Sequence, residues 1–461
     1  MFTVVAVGGG VSAAASYSWT ITPPPATAKL WISATGSDST CVRSSSPVDY
    51  ATALKNGNVC ATGPVAYQRA SLGDTILTQT MTVSSQWAFG RTITKSVPDG
   101  TCDYNYGGTA NLSNCITIEP APGQSIRFSV AGNNQPQIRV CVSGLSIQNL
   151  TIQDTTFTDG FGDAVSNAAL VQGSGDNTCG TSAPHDDYYV NVTFGGPLDI
   201  LGGSYNTWVV GGTQTGTHEM SSQFAGLGNN GAIPAMHGSG EVGITWEGYN
   251  FINLDPGHHH AECVHVDGSE SNEVFAGNRF EQCPVESLFF ETESGSQTGN
   301  LIENNYFDPG NGGGPLKFAC RQPGCVESNN IIRFNSFAGP WQIACEASSG
   351  ACNIDNNVFY GNLKIGCVPL FTNGATIVGT GFVDQGYNVQ GAAKANTCTS
   401  NTSSYLHAIQ YAASGAPNYN LDLSGTTSAS GYVPSSVAWP ANHANIHGTA
   451  RSGPSTDAGA Y

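Results

Sequence analysis

The chain has 461 residues, only 10% of them charged, with 58 glycines and 23 prolines, which excludes a coiled coil or a long helical bundle. Hydrophobic residues make up 39%, too many for a disordered chain. Fifteen basic residues face 33 acidic ones, a formal net charge of −18, which repels phosphate backbones and anionic lipid and so disfavours them as partners.

No apolar run approaches the roughly 18 residues that span a bilayer. The 14 cysteines contain no CxxC pair, and Cys320–Cys325 and Cys345–Cys352 are spaced too loosely for a zinc knuckle. Disulfides in an oxidising, extracellular compartment are the reading, with sequential pairing of Cys320 with Cys325 and Cys345 with Cys352.

Residues 1–22 begin FTVVAV, turn through glycines and continue as SYSWTI. This β-hairpin resembles the last two strands of a bacterial immunoglobulin-like or fibronectin-like module, and residues 23–28 follow as a proline-rich linker. The resemblance implies a piece of a longer multidomain exported chain; separately, a monomer is expected. The glycines do not make a dinucleotide loop, because a strand follows them and not a helix. From residue 29 a strand Lys29–Ala34 leads to Gly36-Ser37-Asp38. Ala66–Thr78 (AYQRASLGDTILT) then reads as an amphipathic cap helix, a Gly-Asp turn and a first strand.

Residues 240–367 contain a long period. Asn-x-Phe recurs at Asn278–Phe280, Asn305–Phe307, Asn335–Phe337 and Asn357–Phe359, with spacings of 27, 30 and 22 residues. Tyr249–Phe251 occupies the same place one repeat earlier. Each copy is followed by a second short run: Val264-His265-Val266, Leu288-Phe289-Phe290, Leu316-Lys317-Phe318, Gln342-Ile343 and Lys364-Ile365. Alternation between turn residues means strands, and a period of this length means a solenoid. Stacked coils lie about 4.8 Å apart. The phenylalanines should therefore pile up inside and the asparagines should pair at the turns, with left-handed backbone there. The expected fold is all-β: a parallel β-helix of about 10 coils over 115–399, with an N-terminal cap and first strands over 29–114 and an irregular C-terminal cap over 400–461.

The chain ends GTARSGPSTDAGAY (Gly448–Tyr461). This tail, with the opening at residues 29–80, resembles bacterial secreted right-handed parallel β-helix proteins of the pectate-lyase-like kind. The resemblance implies secretion or cell-surface display and a polysaccharide partner.

A filled solenoid leaves chemistry to its outer faces. The densest polar stretch is 257–293, GHHHAECVHVDGSESNEVFAGNRFEQCPVESLFFETE. Aligning the second runs puts Glu262 over Glu286, Asp267 over Glu291, and His265 in a column with Phe289, Lys317, Gln342 and Lys364. Val264 and Val266 alternate with His265, so the imidazole should face outward. Two carboxylates about 5 Å apart either share a proton or bind a cation, which suits a retaining glycosidase pair or calcium. The other outcome is a solvated acidic surface of Asp267, Glu270, Glu286, Glu291 and Glu293. His258, His259 and His260 read as a polar loop.

Residues 278–321 also resemble the catalytic turn of alginate and chondroitin lyases of this fold. The matching residues are Asn278-Arg279-Phe280-Glu281, Glu286-Ser287-Leu288, Asn305-Tyr306-Phe307 and Gly314-Pro315-Leu316-Lys317. The base lysine of those lyases has no counterpart: Phe289-Phe290-Glu291-Thr292 carries no basic residue, and Lys317 falls near their arginine. The candidate set is therefore His265, Asp267, Glu291, Lys317 and Arg321 for catalysis, and Arg279, Trp246, Phe289 and Trp341 for sugar binding. Glu262, Glu286 and Glu291 are the candidate calcium ligands, and no organic cofactor is expected. The expected function is extracellular polysaccharide processing by a lyase or glycoside hydrolase; the rival is a non-catalytic glycan-binding adhesin or spacer.

Overall fold

Short runs of three to seven residues, each closed by glycine or asparagine, are too brief to bury a face alone and must stack. The computed structural model describes residues 26–390 apart from short stretches, of which 221–234 and 253–261 are the longest. Beyond 390 it describes only the strands Tyr411–Ala413, Asn420–Leu423, Val433–Pro434 and Ser455–Thr456. The hairpin at 1–22, most of the C-terminal cap, His258, His259, His260, Glu293, Trp341, Cys367 and Cys398 lie outside the described residues.

The chain winds into a right-handed parallel β-helix. One coil runs through Ser296–Thr298, Leu301–Glu303, Tyr306–Asp308 and Gly314–Cys320; the next runs through Val326–Ser328, Ile331–Arg333, Ser336–Phe337 and Gln342–Cys345. Every strand pairs in parallel with its equivalent. One face is a sheet of ten strands, from Trp87–Phe89 through Val264–Asp267, Glu286–Thr292, Gly314–Cys320 and Gln342–Cys345 to Leu370–Thr372.

At the N-terminal end, Tyr50–Asn56 and Gly63–Arg69 are helices. Gly73 turns at φ +81°, and Asp74 is buried beneath Arg43 (2.5 Å) and Lys29 (3.2 Å). Parallel stacking is already present within 29–114, where Leu30–Ile32 pairs with Thr75–Thr78.

The core is a set of columns. Phe251, Phe280, Phe307 and Phe337 stack with centroids 4.7–5.0 Å apart and planes within 13°. Phe359 is not the next ring. It belongs to Asn357–Tyr360, which pairs with Ile331–Arg333, whereas Phe337 sits over Lys364. Lys364 is thereby removed from the His265 column; the strand after Gln342–Cys345 on that face is Leu370–Thr372.

Two asparagine ladders explain the mixed period. In one, the Asn278, Asn305 and Asn335 backbone N–H groups donate to Oδ1 of Asn305, Asn335 and Asn362, each at 2.9 Å. In the other, Glu273, Asn300 and Asn330 donate likewise to Asn300, Asn330 and Asn357. The left-handed backbone falls one residue earlier, at Gly277, Asn304 and Phe334 before the first ladder and at Gly299, Asn329 and Asn356 before the second.

Among the described residues six disulfides close local loops, including Cys320–Cys325, Cys345–Cys352 and Cys263–Cys283. Among the described residues no helix is long and apolar enough to cross a membrane.

Candidate functional site

The outer face of the ten-stranded sheet carries the candidate residues because strand alternation sends their neighbours inward. Val264, Val266, Leu288, Phe290, Leu316, Phe318 and Ile343 enter the core. His265 pairs with Phe289, Phe289 with Lys317, and Lys317 with Gln342; Asp267 pairs with Glu291, and Glu291 with Ala319. Residues as remote in sequence as His265 and Gln342 thus share one short column.

The side chains close into one chain of charges. His265 Nε2 lies 2.8 Å from Glu291 Oε2. Glu291 Oε1 meets Arg321 Nε; Arg321 Nη1 reaches Glu346 Oε2 at 2.8 Å, and Glu346 Oε1 takes Lys317 Nζ at 2.9 Å. Phe289 is the floor. The His265 ring stacks on it at 5.0 Å and 6°, and the Lys317 ammonium sits 4.9 Å from its centre. Such stacking and cation–π contact favour the charged partners. Phe289 packs with Ala319 and Ala344 in a small apolar patch separate from the core.

Burial sets the electrostatics. Burial alone would push the His265 pKa down, but contact with Glu291, aided by Glu262 and Asp267, raises it above the usual range. Burial alone would raise the Glu291 carboxyl, yet His265 and Arg321 hold it below the usual carboxylate range. Both ring nitrogens of His265 are buried; Nδ1 has no hydrogen-bond partner among the described residues, and Nε2 meets Glu291 as an ion pair. Arg321 is the most open member, its side chain 36% exposed, against 10% for His265 and 12% for Glu291.

The sequence-derived set is only partly assembled here. His265, Asp267 and Glu291 bring ligand-type atoms within 4.8 Å of one another, and Lys317 and Arg321 join them. Glu262 is buried beside the site and adds to its field, while Glu286 opens the next strand, paired with Gly314. Trp246 is corrected outright: it is fully buried in the core, where it packs against Tyr249 and Phe251, because its inward parity on Thr245–Glu247 sends the indole away from solvent. Arg279 lies on a different sheet, paired with Glu281 and set over Tyr306. Phe289 is only 2% exposed, so it supports cations and offers no open ring to a sugar. Glu270 is no surface acid; it is fully buried.

Sequence reasoning missed Glu346, which holds both Lys317 and Arg321. Its signal was parity: it stands two residues beyond Ala344 on the outward side. A second missed group is Glu303, buried on another outer face, where Arg333 (2.5 Å) and the Tyr106 hydroxyl hold it. A recess of about 450 Å³ lined by Thr80, Thr82, Ser125, Arg127 and Thr151 lies away from all these groups and contains no acid or histidine.

No protein-family model matches the chain, and no curated protein matches it. Among solved structures it is similar to the crystal structure of pectate lyase Pel9A, with 12% identity and a TM-score of 0.39 over 94% of this chain and 95% of that one. It is also similar to a rhamnogalacturonan lyase, with 12% identity and a TM-score of 0.33 over 73% of each.

Proposed function

We propose that the chain is an extracellular polysaccharide-processing protein that cleaves an acidic glycan by β-elimination on the outer face of the ten-stranded sheet. The observation supporting this reading is the continuous run His265–Glu291–Arg321–Glu346–Lys317 across four adjacent coils. Elimination needs a base for the proton next to the uronate carboxylate, and positive charge to stabilise the carbanion that forms. With Glu291 at Nε2, the imidazole has Nδ1 as its basic atom, and because that nitrogen is buried the ring must turn it outward as the glycan binds. Arg321 and Lys317 supply the positive charge. Nδ1 takes the proton, the electron pair forms the new double bond, and the glycosidic oxygen leaves and is protonated from solvent.

Hydrolysis by the Asp267 and Glu291 pair is less well supported. It needs one carboxyl kept protonated, and two cations hold Glu291 ionised. Calcium on Glu262, Glu286 and Glu291 fits poorly for the same reason: both Glu291 oxygens already face cationic groups, while calcium asks for free oxygen ligands.

The test is turnover on uronate polymers by His265→Ala and Glu291→Gln. Both should lose at least about 100-fold in kcat, the usual scale of acid–base catalysis, with melting retained. Wild-type activity should rise with pH as His265 loses its proton. Unchanged turnover in both variants removes the site. One observation favours a non-catalytic reading: Lys317 and Arg321 are already paired with carboxylates. Glycan binding without turnover in the wild type would select that alternative.

A further inference from the structure

The interior holds acids where a solenoid ordinarily holds aliphatic side chains. On the five-stranded sheet that begins at Glu270–Ser271, Glu270 pairs with Gln297, and Gln297 with Glu327. Val242 bridges Ser271 in the coil above, so Glu241 stands over Glu270. Glu241, Glu270 and Glu273 are all 0% exposed. One oxygen of Glu241 accepts from the Gly203 N–H at 3.1 Å, and one of Glu273 from the Ile244 N–H at 3.3 Å. Among the described residues Glu270 has no hydrogen-bond partner at either oxygen. Its charged neighbours are Glu241, Glu273 and Asp267, carboxylates all.

Protonation does not cure this arrangement. A neutral Glu270 would still bury an unpaired hydroxyl and an unpaired carbonyl, each costing free energy with no return. A cation satisfies both oxygens and offsets the repulsion. We infer that Glu241, Glu270 and Glu273 form an interior site for a hard divalent cation of calcium's size, separate from the outer-face cluster. The ligand chemistry is oxygen only, with no imidazole or thiolate, which selects calcium over zinc or copper. These three do not converge within 4.8 Å as His265, Asp267 and Glu291 do. Binding therefore requires Glu270 to rotate, and it breaks no hydrogen bond in doing so. Asp267, partly exposed, adds its charge to the field at both Glu241 and Glu270.

The experiment compares melting of the EDTA-treated full chain with and without calcium chloride, and counts bound calcium by equilibrium dialysis. Calcium should raise the wild-type melting temperature by at least about 2 °C at saturation, with one ion bound per chain. Glu270→Gln should lose both the shift and the ion. Glu327→Gln and Glu291→Gln should keep them, the latter whatever becomes of the elimination reaction. If Glu270→Gln does not fold, Glu241→Gln gives the same reading. No shift in the wild type, a shift that survives in Glu270→Gln, or one lost in Glu291→Gln overturns the inference, the last by placing the ion on the outer face.

Discussion

Glu327 carries a carboxyl into the interior, and neither oxygen is hydrogen-bonded among the described residues. Burial pushes its pKa from 4.5 up to about 8. The folded chain therefore keeps a proton that the unfolded chain has released, so the associated stability is present below pH 4.5 and lost as pH rises through about 8. Glu327→Gln, which removes the charge and keeps the shape, should raise the melting temperature at pH 8 and change it much less at pH 4.5. Equal effects at both pH values would show that the carboxyl is not desolvated. None of this was legible in the sequence, where Glu327 looks like any solvated acid; Glu270 was read that way for the same reason. Acid identity says nothing of parity when the strand is only two or three residues long. Trp246 failed in the opposite sense, as an aromatic offered to sugar that parity turned inward.

The two asparagine ladders show what a motif can and cannot specify at the level of elements. Asn305 donates its N–H to Asn335, accepts from the Asn278 N–H and side-chain amide, and donates its own amide to Phe275 O and Asn335 Oδ1 at 2.8–3.0 Å. Asn305→Ala strands several buried polar groups, and should cost about 3–5 kcal/mol on the scale of unpaired buried donors and acceptors. Denaturant unfolding checks this; a loss below about 1 kcal/mol would mean that water replaces the ladder. The 27 and 30 residue spacings in the sequence were the true period. The 22 was a step from one ladder to the other, since both turns use the same Asn-x-hydrophobic pattern. The local disulfides Cys320–Cys325 and Cys345–Cys352 were legible because sequence separations of 5 and 7 residues close short local loops, even though Cys352 also lies near Cys320 and Cys325.

Across the molecule, the solenoid was readable because its period is far longer than that of any sandwich. The adjacency of His265, Asp267, Glu291 and Lys317 followed from register alone. What register could not supply was closure: Glu346, the floor role of Phe289, and the degree to which paired charges cover one another depend on side-chain directions in three dimensions. The net charge of −18 likewise hid its distribution, with some acids locked inside and others tied to the few cations on one face. The central claim is that this face breaks an acidic glycan by elimination. Incubating the purified chain with a panel of uronate polymers, while following ultraviolet absorbance of unsaturated uronate beside reducing ends, tests it most directly. The account predicts that both signals rise together on at least one polymer; reducing ends without new absorbance, or neither signal on any polymer, would contradict it.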